Sequence, residues 1–431
     1  MRPGARIAAA IEIVDTILNR YQPTATALAD WGKANRFAGS GDRNAIGGLV
    51  YDTLRRRASS AYIMGADTPR ALVIGTLVRQ GMPVSEVASL CTGADHAPAP
   101  LTGEETQRLA TPSIDGARPW IAGDYQEWLQ PSFERAFGVR AAEEGAKLAE
   151  RAPADLRVNA IKSEREKVLK ALMDFDAENS PWAPFGVRIP PPVGAARTPN
   201  LQAEAAYQAG WFEIQDEGSQ IAAAMAGAAP RLNILDLCAG GGGKTLAMAA
   251  AMGNTGQIYA YDADRNRLKP IFDRIKRAGV RNVQVLRGGD EAALDDLGAR
   301  FDVVLVDAPC TGTGTWRRRP DAKWRLRPDA LASRIKDQKE VLARAKQHVK
   351  PGGRLVYVTC SILPEEDSDQ VASFVAENTD FSVVPYAEVW RANLSGEPPA
   401  SADGRTDTLM LTPASHGTDG FFVAVMARSK T

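Results

Sequence analysis

Apolar residues in the first 90 positions recur at helical spacing. Ile7, Ile11, Val14, Ile17 and Leu18 mark one predicted helix, and Ile46, Leu49, Val50 and Leu54 a second, with Ser40-Gly41-Asp42 as its start signal. The period fades over 91–120, where Pro, Gly, Thr and Ala dominate, as expected of a linker or irregular segment. Another helix is predicted from Tyr125 to about Phe137, carrying Trp128, Leu129 and Phe133. From there to about 210, alternating stretches such as Leu156–Ile161 accompany a helix at 163–174 and a proline-rich segment, Pro190–Pro192.

The pattern changes near Gly210. Apolar strand candidates at 233–238, 257–262, 282–287, 302–307 and 353–359 alternate with helical stretches at 244–252, 264–278 and 328–349. Two more strands follow, around 381–386 and 420–427. Such alternation predicts an α/β protein with a doubly wound, mostly parallel sheet. The expected organisation is a helical domain over 1–120, a small α+β subdomain over 121–209, and the sheet domain over 210–431.

A chain of 431 residues is too long for one ordinary domain, in agreement with that division. With 52 basic and 52 acidic residues there is no net charge, so a nucleic-acid surface would have to be local. The four cysteines, Cys91, Cys238, Cys310 and Cys360, form no Cys-x-x-Cys pair, and the three histidines are scattered. Neither a disulfide framework nor a zinc site is expected. No run reaches the ~18 apolar residues of a membrane span, and Glu12 and Asp15 interrupt the apolar N-terminal stretch. A cytoplasmic protein without membrane or metal is the expectation.

The first predicted strand of the sheet domain runs into a glycine turn, Asp236-Leu-Cys238-Ala239-Gly240-Gly241-Gly242-Gly243-Lys244-Thr245. Glycines let backbone N–H groups approach a ligand, and the following helix start favours negative charge. A Walker A reading fails, because that motif needs glycine where Cys238 stands. A cofactor without a triphosphate is the alternative, and Asp262, ending the next strand, could accept both ribose hydroxyls of a nucleoside. The competing role for Asp262 is a helix cap. Together with the glycine turn, its position favours adenosine recognition. Asp290, after the third strand, could reach the adenine amine or simply solvate a loop.

Two later strands each end in a cysteine: Phe301 to Asp307-Ala308-Pro309-Cys310, and Gly353 to Thr359-Cys360. One strand-end cysteine is usually an inert core residue. Two on adjacent strands, beside a nucleoside cofactor, point to thiol chemistry on a ring. C5 of a pyrimidine is a poor nucleophile, but a thiolate added to C6 makes it enamine-like and able to attack a methyl sulfonium. A base then removes the C5 proton and the thiolate leaves. Only the thiolate is competent, so nearby positive charge or a helix dipole would assist. Asp307 could hydrogen-bond a protonated edge of the heterocycle.

These motifs, with Gln215-Asp216-Glu-Gly-Ser219, Pro320-Asp321-Ala-Lys323-Trp324, Thr359-Cys360-Ser361 and Asp419-Gly420-Phe421-Phe422, resemble the RNA (cytosine-5) methyltransferases of the Nol1/Nop2/Sun family over about residues 125–431. The resemblance implies a Rossmann-like methyltransferase sheet and S-adenosylmethionine as cofactor. It implies Cys360 as the nucleophile on C6 and Cys310 as an aid to product release. Asp307 would contact the cytosine close to the cofactor, and residues 238–244 would wrap the methionine part with Lys244 near the reacting centre. The family usually has Ala-Ala-Pro-Gly-Gly-Lys where this chain has Ala239-Gly240-Gly241-Gly242-Gly243-Lys244, so a fixed φ is lost and backbone freedom gained. The N-terminal region is only weakly similar to the helical NusB-like domain of part of the family, best over Gly41–Arg43 to Leu54–Arg56, and the resemblance implies RNA binding by that region and by the linking subdomain over 121–209.

The run Trp316 to Arg327 holds six basic residues and one acid. It is read as an RNA-facing loop in which Arg317, Arg318, Arg319 and Lys323 meet phosphates and Trp324 stacks on a base. The alternative is a solvated charged face. The expected substrate is an unpaired or flipped cytosine, most simply in ribosomal RNA. Transfer RNA as substrate is a second reading, and an inactive RNA-binding ribosome-assembly factor a third. Retention of both cysteines, Asp307 and Lys244 argues against the third.

Overall fold

The computed structural model describes residues 1–192 and 199–430. Contacts divide it into two compact units. One is Met1–Arg151 with Trp316–Leu326, and the other contains Ala152–Pro191, Pro199–Thr315 and the chain from Arg327 onward.

The first unit is helical. Helices Pro3–Asn19, Ser40–Arg55, Arg57–Met64 and Pro69–Arg79 pack around Ile13, Val14, Ile46, Val50 and Leu72. The stretch expected to be irregular, 91–120, contains a short helix, Gly103–Leu109, closed by a Thr102–Glu105 capping box, and buries Leu109 in the same core. The boundary expected at 120 falls instead at Arg151. Asp124 accepts from Ser59 N (2.8 Å) and Ser59 Oγ (2.7 Å), and Tyr125 stacks on Phe133 at 4.0 Å, which ties 119–148 to the first helices. Phe133 in turn stacks on Trp316 at 6.2 Å, drawing the remote segment 316–326 into this unit.

The second unit begins with a four-stranded antiparallel sheet. Strands β1 (Ala154–Val158), β2 (Glu178–Asn179), β3 (Gly186–Ile189) and β4 (Phe212–Ile214) lie in the order β2-β3-β1-β4. With helix Arg165–Ala171 they bury Leu156, Val158, Val168, Val187 and Phe212, a small α+β subdomain that begins at 154, not 121, and runs past 209 to take in β4. Arg188 of β3 bonds Asp155 of β1 at 2.7 Å and Glu217, the first residue of helix Glu217–Met225, at 3.1 Å, which ties the small sheet to that helix.

The larger sheet has eight strands: β5 (Asn233–Asp236), β6 (Gln257–Ala260), β7 (Val283–Val285), β8 (Phe301–Asp307), β9 (Val349–Thr359), β10 (Phe381–Val384), β11 (Leu409–Leu411) and β12 (Phe421–Arg428). Their order is β10-β12-β9-β8-β5-β6-β7, with β11 beside β12. Strands β5 to β9 pair in parallel, and β12 is antiparallel to its neighbours. This is the doubly wound architecture predicted. Val303 to Val306 of β8 are fully buried, so the strand reads as an unbroken apolar run because helices cover both faces. Helix Pro328–Ala345 ends four residues short of its predicted limit, since β9 starts at Val349 and Phe301 N bonds His348 O at 3.1 Å. Strand order reverses at β5 and β8, and ligands of such sheets bind outside the carboxyl ends at that reversal.

Candidate active site

The carboxyl end of β5 leads into the glycine turn, and helix Gly243–Ala251 leaves it. Gly242 has φ +80°, and a Cβ there would stand 2.4 Å from Ile271 Cγ1. Only glycine brings the turn this close to helix Arg265–Ala278. Gly240 has φ +50°, a second left-handed residue, so of the two glycines in place of Ala-Pro the backbone uses Gly240 for its conformation, while Gly241 has no left-handed φ. Beneath the turn, buried Asp236 accepts a hydrogen bond from Thr245 Oγ1 at 2.6 Å. Burial pushes its carboxyl up to about 7.

A cavity of about 200 Å³ opens over this turn. Cys238, Ala239, Gly240, Gly241, Gly243 and Lys244 line one side, with Asp307 at the end of β8. Across from them stand Gln215 and Ser219 of the Gln-Asp-Glu-Gly-Ser motif, bonded to each other at 3.0 Å, and Arg267 and Arg274. The sequence reading missed these four as cavity residues. Arg274 Nη1 reaches Gly241 O at 2.7 Å, a contact set by helix Arg265–Ala278 lying against the turn.

Asp262 is buried at the end of β6 and faces the turn. Its Oδ2 accepts from Gly240 N at 3.0 Å and its Oδ1 from Asp264 N at 2.9 Å. The cap of helix Arg265–Ala278 is Asp264, so the cap role weighed for Asp262 belongs to its neighbour. Asp290 caps helix Glu291–Asp295 through Ala293 N at 3.1 Å and does not line the cavity. Cys238 lies half-buried in the lining, and burial, followed by Asp262 and Asp236, drives its thiol well above the usual range. Asp262 lies behind the lining, bonded to Gly240. A glycine backbone cradle with the Asp307 carboxylate at its edge fits an adenosyl cofactor with a cationic sulfonium.

Asp307 also accepts an ion pair from Lys244 Nζ at 2.6 Å, and that ammonium sits 5.2 Å from the Phe421 ring. Phe421 belongs to the Asp-Gly-Phe-Phe motif. Gly420 N donates to Gly314 O at 2.8 Å, and those two backbones approach too closely for a side chain on either.

Strands β8 and β9 are parallel neighbours with Asp307 opposite Val358, so the residues beyond both ends emerge side by side. Cys310 Sγ and Cys360 Sγ stand 3.4 Å apart. Donation toward Cys360, then burial, pushes the Cys310 thiol well above the usual range. Fifty residues of sequence separation thus become a sulfur–sulfur contact.

The basic run divides differently from expectation. Lys323 is 1% exposed, its Nζ donates to Arg55 O at 2.9 Å, and burial lowers its pKa to about 8. Arg317 is 5% exposed, and its carbonyl accepts from Arg55 Nη2 at 2.8 Å. Trp324 donates its indole N–H to Leu54 O. Arg317 and Lys323 pack the helical unit instead of facing solvent, because 316–326 is one of its core segments, while Trp324 is partly buried and keeps part of its ring accessible. Arg318, Arg319, Arg325 and Arg327 are the exposed members.

A cofactor cradle at the reversal of a doubly wound sheet, with paired thiols beside it, defines an S-adenosylmethionine-dependent methyltransferase. A family model described as 16S rRNA methyltransferase RsmB/F matches residues 227–427. The chain is 33% identical over 319 residues to the ribosomal RNA small subunit methyltransferase B of Sodalis glossinidius, covering 73% of this chain and 68% of that protein. It is 31% identical over 314 residues to the probable ribosomal RNA small subunit methyltransferase B of Synechocystis sp., covering 71% and 67% respectively. The crystal structure of PH0851 matches 99% of both chains with a TM-score of 0.71 and 25% identity. The chain belongs to the RsmB/F family of RNA methyltransferases, as the resemblance to the Nol1/Nop2/Sun enzymes implied, and S-adenosylmethionine is its cofactor.

Proposed function

We propose that this enzyme methylates C5 of a cytosine in small-subunit ribosomal RNA through a covalent bond between Cys360 and C6. The observation that carries the reading is the 3.4 Å approach of Cys310 and Cys360 beside the Lys244–Asp307 pair. The target base is unpaired or flipped out, since C5 and C6 must meet different groups.

S-adenosylmethionine, when bound, supplies an electrophilic methyl group. Asp307 accepts a hydrogen bond from the cytosine amine and orients the ring, while Lys244 holds Asp307 in place. The Cys360 thiolate adds to C6, and the C5–C6 π pair becomes available at C5. While Cys360 is a thiolate, Cys310 donates its proton toward it and stays neutral. Once Cys360 is bound as a thioether, that acceptor is gone, and Cys310 releases its proton to solvent water. The Cys310 thiolate then takes the C5 proton, the C–H pair restores the C5–C6 double bond, and Cys360 departs as thiolate.

The experiment replaces target cytidines by 5-fluorocytidine, whose C5–F bond cannot release a proton. Wild-type protein with S-adenosylmethionine should accumulate an RNase-sensitive adduct whose linked peptide contains Cys360. Linkage to Cys310, or no adduct with an RNA that the enzyme methylates, would overturn the reading.

Asp262 is proposed to hold the ribose hydroxyls. Hydrogen bonds to a charged group contribute about 1.5–3 kcal/mol, so Asp262→Ala should weaken S-adenosylmethionine by about 10- to 100-fold. Calorimetric titration without RNA measures this, and unchanged affinity would remove Asp262 from the site. The helical unit, read as NusB-like, and exposed Arg318 and Arg319 are proposed to contact RNA, and the enzyme to act in the cytoplasm.

A further inference from the structure

Glu366 has no exposed surface, yet it collects hydrogen bonds from three separated segments. Its Oε1 accepts from Thr311 N at 2.8 Å and from Gln338 Nε2 at 3.0 Å. Its Oε2 accepts from the Thr311 hydroxyl and from Ser361 Oγ. Thr311 follows Cys310 and Ser361 follows Cys360, so one carboxylate clasps the residue after each thiol. The backbone at Glu366 is itself held, because Tyr357 OH donates to its carbonyl at 2.6 Å.

The two sides of the clasp differ. Cys360 has anchors independent of Glu366: its carbonyl accepts from Gly314 N at 3.0 Å, Ser361 N bonds Thr359 Oγ1 at 3.1 Å, and Ile362 N bonds Thr313 Oγ1 at 3.0 Å. The Cys310 turn lies past the last β8 pairing, where Ala308 N meets Val358 O. Beyond it, Pro309 O accepts from Gln338 Nε2 at 3.0 Å, and Thr311 bonds Glu366 twice. Gln338, on helix Pro328–Ala345, thus touches both the turn and the carboxylate.

We infer that Glu366, with Gln338, is a positioning residue that holds the Cys310 turn over the adduct, so that its loss stalls product release more than adduct formation. The inference rests on the proposed roles of Cys310 and Cys360. It concerns the step after methyl transfer: the C5 proton must reach Cys310 before the C6–S bond breaks, and a displaced turn leaves that proton without an acceptor. A misplacement of about 1 Å can cost roughly 100-fold in rate.

The test compares Glu366→Ala, Glu366→Gln, Gln338→Leu and Cys310→Ala on denaturing gels after incubation with S-adenosylmethionine and substrate RNA, with thermal melting of each. Cys310→Ala should trap the adduct. Glu366→Ala should trap it too, with turnover down by roughly tenfold or more and KM for RNA unchanged. Glu366→Gln should regain most turnover, because its carbonyl can still accept from Thr311 N while both hydroxyls can reverse. Gln338→Leu should trap adduct more weakly, and it decides the matter if Glu366→Ala does not fold. Folded Glu366→Ala and Gln338→Leu with wild-type turnover, or with formation and release lost equally, would overturn the inference. Absence of adduct in Cys310→Ala would instead fault the release role of Cys310 on which it rests.

Discussion

Cys360→Ala is expected to abolish methyl incorporation while the protein stays folded and still binds RNA. The loss should be on the order of 10⁴-fold or more, the scale seen when a covalent nucleophile is removed from an enzyme that depends on it. Without the S–C6 bond, C5 keeps its aromatic character and has no electron pair to offer. The fold has little stake in the thiol. Residue 360 follows the end of β9, which is held by pairing with β8 and β12, and the side chain is only half-buried. A partly exposed Cys→Ala change should therefore cost about 1 kcal/mol or less. Transfer of a labelled methyl group, measured beside thermal melting and RNA binding, checks both halves. Activity above a few per cent of wild type would remove Cys360 from the chemistry, whereas lost activity with a collapsed melting transition would return it to the core.

Cys310→Ala should produce the opposite partial reaction. Adduct formation and methyl transfer need Cys360, so one methyl group per enzyme is transferred and then turnover stops. The expected readout is a slow-migrating, RNase-sensitive species on a denaturing gel, absent from Cys360→Ala and from the double variant. At a sulfur–sulfur distance of 3.4 Å the two thiols can share one proton. Only one can be the attacking thiolate while the other, donating to it, keeps its proton. Normal turnover by Cys310→Ala would show that another base collects the C5 proton.

The buried strands were legible because each carries a continuous apolar run ending in polar or glycine residues, as in Asn233–Asp236 and Phe301–Asp307. The glycine turn, Asp262 and the two cysteines were legible as strand-end features, because each stands where an apolar run ends, and close backbone approach demands glycine. The basic run was legible only in part. Its composition is the same whether its side chains face RNA or a protein interior, and only the helical unit's core shows Lys323 on the Arg55 carbonyl and Trp324 on that of Leu54. Segment 119–148 likewise had no local feature assigning it to the first helices, since the decisive contacts join Ser59 to Asp124 and Phe133 to Trp316.

Local order along the chain thus determined the sheet, its cofactor turn and the residue types able to perform thiol-assisted methyl transfer, because periodicity and side-chain chemistry are properties of neighbouring residues. Tertiary structure decided the rest. It brought two sulfurs together from the ends of parallel strands, paired Lys244 with Asp307, packed Arg274 against the turn and closed Glu366 over both cysteine loops. Those relations depend on strand order and helix packing between segments tens to hundreds of residues apart, where a linear pattern carries no distance.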